Sequence, residues 1–172
     1  MALKDIIVAT QADLSAHPAH ATATFAVDSR QVEGLRSEAK IRQFSVTVDE
    51  PPSLGGGDAG PNPVELVLAA LATCQEITYR AYATALGVPL EGVSVKLEGD
   101  LDLRGFFAVE DGVRPGFVGV RGVVELKSAA SQSELERLKS VVDAHCPVLD
   151  ILSAPTPVEL RLVTAEAAAA VV

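Results

Sequence analysis

Tryptophan is absent from this chain, aromatic residues make up only 4% of it, and cysteine occurs twice. With so few rings, a core has to be built from Val, Leu, Ile and Ala, and a hydrophobic fraction of 48% supplies them. Cationic residues are also scarce: 14 Lys and Arg stand against 23 Asp and Glu, a formal net charge of −9. Nucleic acid draws most of its protein affinity from basic surface, so the charge argues against such a partner. It argues equally against adhesion to an anionic membrane. No apolar run reaches the roughly 18 residues that cross a bilayer. The opening MALKDIIVATQADLSAHPAH lacks the apolar stretch and basic flank of a secretory signal. The expected compartment is therefore the cytoplasm, where a disulfide is usually catalytic or redox-sensing.

What is present reads as one domain, with residues 1–20 a mixed leader and 164–172 a tail. ATATFAV at 21–27 alternates as a strand, Gly34 marks a turn, and KIRQFSVTVDE reads as the second strand of a hairpin. The cluster PPSLGGGDAGP at 51–61 must be a loop. A first helix follows: Asn62 caps it, Pro63 fits its first position, Glu65 stands at the capping-box position, and Gly87 ends it. Its near-continuous apolarity predicts burial on all sides. Residues 91–109 and 113–127 read as two strands. A second helix starts at the Ser131/Glu134 capping box and stops near Pro147. PTPVELRLV at 155–163 reads as a last strand, with Val158, Leu160 and Leu162 on one face. Hairpins outnumber helical crossovers, so the fold class is α+β with antiparallel sheet.

The two cysteines lie on apolar stripes of the two helices. Leu66, Ala70, Cys74, Ile77 and Ala81 recur at helical spacing, as do Leu135, Leu138, Val142 and Cys146. Such thiols are either inert packing residues or a redox couple. Cys146 precedes Pro147 at a helix end, where a side chain can be reached. A buried nucleophilic thiol needs a cation, and Arg30, Arg36 and Arg42 precede the first helix. Metal ligation is poorly supported: His17, His20 and His145 form no close ligand pair apart from the adjacent His145 and Cys146. There is no G-x-S-x-G nucleophile elbow, and the glycine run lacks the Lys-Ser/Thr of a phosphate loop.

The segment DEPPSLGGGDAGPNPVEL at 49–66, Cys74 twelve residues after Asn62, and HCPV at 145–148 together resemble the OsmC/Ohr family of osmotically induced and organic-hydroperoxide-resistance proteins. The resemblance spans residues 21 to 163. It implies curved antiparallel sheets around two long central helices, an intertwined homodimer with active sites at the interface, and peroxidase chemistry without metal, flavin or haem. It makes Cys74 the peroxidatic thiolate and Cys146 the resolving thiol. An external dithiol, a lipoylated protein or a thioredoxin-like one, would reduce the resulting disulfide. It also implies an arginine beside the thiolate, Arg30 first and Arg42 second, and a glutamate. Here the chain departs from the hydroperoxide-resistance branch, which has N-P-Glu where this sequence has Val64, with the acid at Glu65. One residue turns a helical side chain by about 100°, and Glu65 fits a capping role as well as a catalytic one. Two alternatives stay open at this point: a non-catalytic protein of the same fold that holds an apolar ligand, and a thiol-disulfide oxidoreductase that does not act on peroxide.

Overall fold

The computed structural model of the chain describes residues 2–164. The leader is not irregular. It opens with a helix, α1, Leu3–Ala16, in which the Asp5 carboxylate accepts from the Ala2 N–H at 3.1 Å, and Pro18 leads into a 3-10 turn at Pro18–Ala21. The strand expected at 21–27 is absent; that segment is exposed, with Phe25 93% accessible. β1 begins later, at Asp28–Glu33, because its ladder with β2, Arg36–Ile41, starts at the Asp28–Lys40 pair.

The expected second strand is in fact two. β2 turns at Arg42-Gln43 into β3, Phe44–Val48, with Ile41 paired to Phe44 across the turn. Such two-residue hairpins need positive φ, normally supplied by Asn or Gly. Here Arg42 adopts φ 56°, so no turn signal showed in the sequence. The three strands form one antiparallel sheet in the order β1-β2-β3.

The breaker cluster is a loop, as the sequence predicts, and one carboxylate organises it. Asp49 is 4% exposed, and its oxygens accept from the backbone N–H groups of Glu50 (2.9 Å), Gly57 (3.1 Å) and Ala59 (3.2 Å). At Gly56 a Cβ would overlap the Glu50 carbonyl, so no larger residue fits that close approach. The loop delivers the chain to α2, Pro63–Leu86. The Asn62 side chain accepts from Glu65 N–H at 2.9 Å, and the Glu65 carboxylate accepts from Asn62 N–H at 2.8 Å. Gly87, at φ 71°, ends the helix in the left-handed conformation.

β4, Gly92–Leu101, and β5, Phe117–Lys127, form a separate antiparallel ribbon. Both are shorter at the tip than the sequence suggests. Asp102 caps a short helix, α3, Leu103–Phe106, and Arg104 bridges Asp102 and Glu110, so the connection spends residues 102–116 outside the ladder. α4, Gln132–His145, starts at the expected Ser131/Glu134 capping box, and α5, Pro147–Ser153, follows after Cys146. The final strand expected at 155–163 does not form: the segment belongs to no helix or strand. Val158, Leu160 and Leu162 are 78%, 91% and 95% exposed.

α2 packs on β4, α4, α5 and α1. The core is its stripe of Tyr79 and Ala83 against Leu138 and Val142 of α4, flanked by Val93, Val124 and Leu126 of the ribbon. The expectation of all-round burial fails: Leu71, Gln75, Thr78, Tyr79 and Ala83 are buried, whereas Ile77 is 70% exposed. The buried stripe is rotated by about one residue from the expected one, and Cys74 lies at its edge. Leu138 is fully buried in the helix seam, so Leu138→Ala leaves a cavity there. Denaturant unfolding should show a loss of about 2–5 kcal/mol.

Candidate active site

The helix seam ends at the two thiols. On α4, Leu138 and Val142 are spaced one turn apart, and the same stripe carries into Cys146, although α4 itself stops at His145. Cys146 has φ −81° and ψ 110°, the break that Pro147 imposes on the residue before it. Its side chain is 1% exposed and points back into the seam. Cys74, halfway along α2, is partly exposed. The Cys146 Sγ donates to the Cys74 Sγ at 3.4 Å. Both are free thiols, about 1.4 Å beyond the length of an S–S bond.

Burial pushes the Cys74 thiol up from its ordinary value, and the neighbouring Cys146 pushes it the same way. Two hydrogen-bond donors oppose them. The Val148 backbone N–H, free within the first turn of α5, and the Thr78 hydroxyl both act to lower it. Thr78 Oγ1 also donates to the Cys74 carbonyl at 2.7 Å, so its single proton is shared between two claims. No cation among the described residues is among the causes.

The structure does not bring the other expected site residues to this pair. Arg30 is exposed on β1 opposite Glu38. Arg42 occupies the hairpin turn with its guanidinium 5.3 Å from the Phe44 ring centroid. Glu65 is engaged in the capping box. It also precedes Cys74 by nine residues of the same helix, about 13 Å along the axis. Within one chain, then, the cysteines meet and the three charged residues stay apart from them.

A groove of about 1120 Å³ opens between α2, the ribbon and α4, lined by Val67, Leu71, Val95, Leu97 and Leu135 together with charged residues such as Arg121. Neither cysteine lines it. Tyr79 borders it with a hydroxyl pushed up to about 12, by burial first and by the Asp143 charge second, and so stays protonated at neutral pH. Sequence spacing also missed a cluster of Asp13, His17 and His20. The signal was the i, i+4 spacing of Asp13 and His17, legible only once residues 3–16 are known to be helical.

A family model described as OsmC-like protein matches residues 55–161, which hold the glycine loop, α2 and both thiols. The chain belongs to the OsmC-like protein family. Among solved structures, an OsmC-like protein from Mycoplasma pneumoniae superposes with a TM-score of 0.67 at 19% identity, over 77% of this chain and 89% of that one. An organic hydroperoxide resistance protein OsmC from Legionella pneumophila matches with a TM-score of 0.59 at 25% identity, over 77% and 90%. An organic hydroperoxide resistance protein from Elizabethkingia anophelis, with thiocyanate bound, matches with a TM-score of 0.58 at 16% identity, over 78% and 92%. A comparison with curated proteins found no match. The antiparallel sheets and helices expected from the sequence are those of OsmC-like structures. No helix among the described residues is long and apolar enough to cross a membrane.

The Asp49 knot precedes this site and has a testable electrostatic signature. The Ala59 N–H first, then those of Glu50 and Gly57, hold its carboxyl below the usual value of 3.8 against the opposing effect of burial. The folded state therefore favours the ionised form. Its contribution is complete above 3.8 and is lost as pH falls through the lower folded value. In chemical denaturation, Asp49→Asn should be less stable than the parent at neutral pH. The gap should narrow as pH drops below 3.8.

Proposed function

We propose that this OsmC-like chain is a thiol-dependent peroxidase that reduces organic hydroperoxides through Cys74 and Cys146. The observation that carries the reading is the 3.4 Å separation of the two sulfurs, one partly exposed and one fully buried. The accessible thiol meets substrate, and the buried one waits behind it. Ionised Cys74 attacks one oxygen of ROOH. The O–O bond breaks, RO⁻ takes up a proton and leaves as alcohol, and Cys74 becomes a sulfenic acid. The Cys146 sulfur then attacks the Cys74 sulfur, the S–S bond forms and water leaves. A dithiol, lipoylated or thioredoxin-like, reduces the bond by exchange and is itself oxidised.

This chemistry needs thiolate, and burial of Cys74 opposes it. We assign the missing cation to a second copy of the chain, through Arg30 on the exposed strand β1 first and Arg42 in the β2–β3 turn second. Glu65 we assign to the helix cap. The chain is unusually open for its size: its accessible surface is 12683 Å², where a compact 17.9 kDa monomer would expose about 8,000 Å². The groove, the exposed Ile77 and the unpartnered segment at 155–163 are surfaces that a homodimer would cover. Sedimentation should therefore give a dimer at micromolar concentration, and a monomer would remove the proposed source of the cation.

The chemical test uses reduced protein and one equivalent of cumene hydroperoxide. Mass spectrometry should show loss of two hydrogens and an intramolecular Cys74–Cys146 link. Cys74→Ser should abolish peroxide consumption, and Cys146→Ser should stall at a sulfenic acid trapped by dimedone. Full retention of free thiol in the parent protein would sink the peroxidase reading. One observation favours a second reading: a large groove, partly apolar, is lined by neither cysteine. A protein that binds an apolar ligand there without catalysis would keep that binding in Cys74→Ser and would not consume peroxide.

A further inference from the structure

We propose that Asp13, His17 and His20 form a binding site for a divalent late transition-metal ion such as Zn²⁺ or Ni²⁺. The three residues precede the region matched by the family model, and their site is independent of the thiol pair.

Local chain geometry builds the cluster. Because α1 runs to Ala16, Asp13 and His17 stand one helical turn apart on one side. Pro18 has no N–H with which to continue the helix, and the chain enters the 3-10 turn. The His20 N–H donates to the His17 carbonyl at 2.9 Å, which folds His20 back over the helix end. The two rings stack with centroids 5.0 Å apart and planes 25° from parallel. Each turns the same nitrogen toward one carboxylate: His17 Nδ1 lies 3.0 Å from Asp13 Oδ1, and His20 Nδ1 lies 3.0 Å from Oδ2. All three donor groups place a ligand atom within 4.8 Å of one another.

A carboxylate bonded to two imidazoles is also what a plain helix-end hydrogen-bond network looks like, so the donor set and its spacing have to decide. Neutral imidazole with carboxylate is a donor set that Zn²⁺ and Ni²⁺ take. Four ligands at about 2.0–2.1 Å from a tetrahedral ion stand about 3.3–3.4 Å from each other. The 3.0 Å contacts already present are within a few tenths of an ångström of that edge. The third edge, between the two imidazole nitrogens, is within 4.8 Å, so ring rotation that closes it would let an ion replace the proton on each Nδ1. All three residues are exposed, so water fills the remaining positions.

The chain has three histidines, which supplies an internal control. His145 lies on α4 with Nδ1 2.8 Å from the Val141 carbonyl, next to Cys146. Reduced, chelator-stripped full-length protein would be titrated with Zn²⁺ by calorimetry, and with Ni²⁺ while the histidine ring protons are followed by NMR. The expected result is one ion per chain, with substoichiometric Ni²⁺ broadening the His17 and His20 signals and leaving those of His145 sharp. His20→Ala should weaken Zn²⁺ binding at least about tenfold, since even loss of an outer-shell partner costs that much. His20 lies beyond α1, and an unchanged far-ultraviolet circular dichroism spectrum would show the helix intact. His145→Ala should bind as the parent does. Absence of binding would overturn the proposal. So would binding that broadens His145 and persists in His20→Ala while disappearing in a Cys74→Ser, Cys146→Ser variant, since the ion would then sit on the thiols.

Discussion

Everything at the candidate site depends on the seam between α2 and α4. Leu138 and Val142, both fully buried, pack against Tyr79 and Ala83. That contact fixes the rotation of α4 about its axis. Cys146 continues the Leu138–Val142 stripe by one further turn's spacing, so the same rotation aims its sulfur at α2. Cys74 is one turn before Thr78 on the facing helix. The thiol pair is therefore a by-product of apolar packing. A single-residue slip in the phase of either helix would turn a sulfur by about 100° and separate them.

The loop before α2 fixes the position of that helix along its own axis. Asp49 gathers three backbone N–H groups, and Asn62 Nδ2 donates to Glu50 Oε2 at 3.4 Å, tying the cap of α2 to the strand end. A loop this rich in glycine would be costly to order without such a knot. Gly56 and Gly60 are there because backbone of the neighbouring segment passes where their side chains would be. The glycine run is thus read better as close packing than as a phosphate cradle or a lid.

Where local chemistry decides structure, the sequence was legible. Both capping boxes, the bounds of α2 and the break at Pro147 follow from residue types at fixed offsets. It was illegible where the deciding partner is distant or missing. The Arg42-Gln43 hairpin carries no glycine or asparagine, so strain accepted for the sake of the ladder hides it. The phase of α2 could not be read because its apolar residues surround the helix, and only the position of α4 selects the buried stripe. PTPVELRLV alternates as a strand should, yet a strand needs a ladder, and the segment pairs with none of the described strands. Arg30, Arg42 and Glu65 came from the family resemblance, and within one chain they lie on β1, in the β2–β3 turn and in the α2 cap; no pattern inside a segment says which sheet ends beside which helix.

The electrostatics of Cys74 then tie its chemistry to assembly. Inside one chain the Val148 backbone N–H and the Thr78 hydroxyl favour thiolate, set against burial and a second thiol. A hydrogen bond to a charged group contributes about 1.5–3 kcal/mol, whereas full desolvation of an ionisable group shifts its pKa by as much as 3–5 units, or about 4–7 kcal/mol. Partial burial takes only part of that, but the donors present do not overturn it, and the pKa stays raised. Within one chain, the balance at Cys74 therefore favours the thiol over the thiolate. The same sulfur becomes reactive when a positive charge is brought within a few ångströms, without any change in the helix seam. On the proposed reading, the arginines of the first sheet would come to Cys74 from a second copy of the chain. Reactivity would then track the quaternary state, and a dissociated chain would keep its thiols reduced by default.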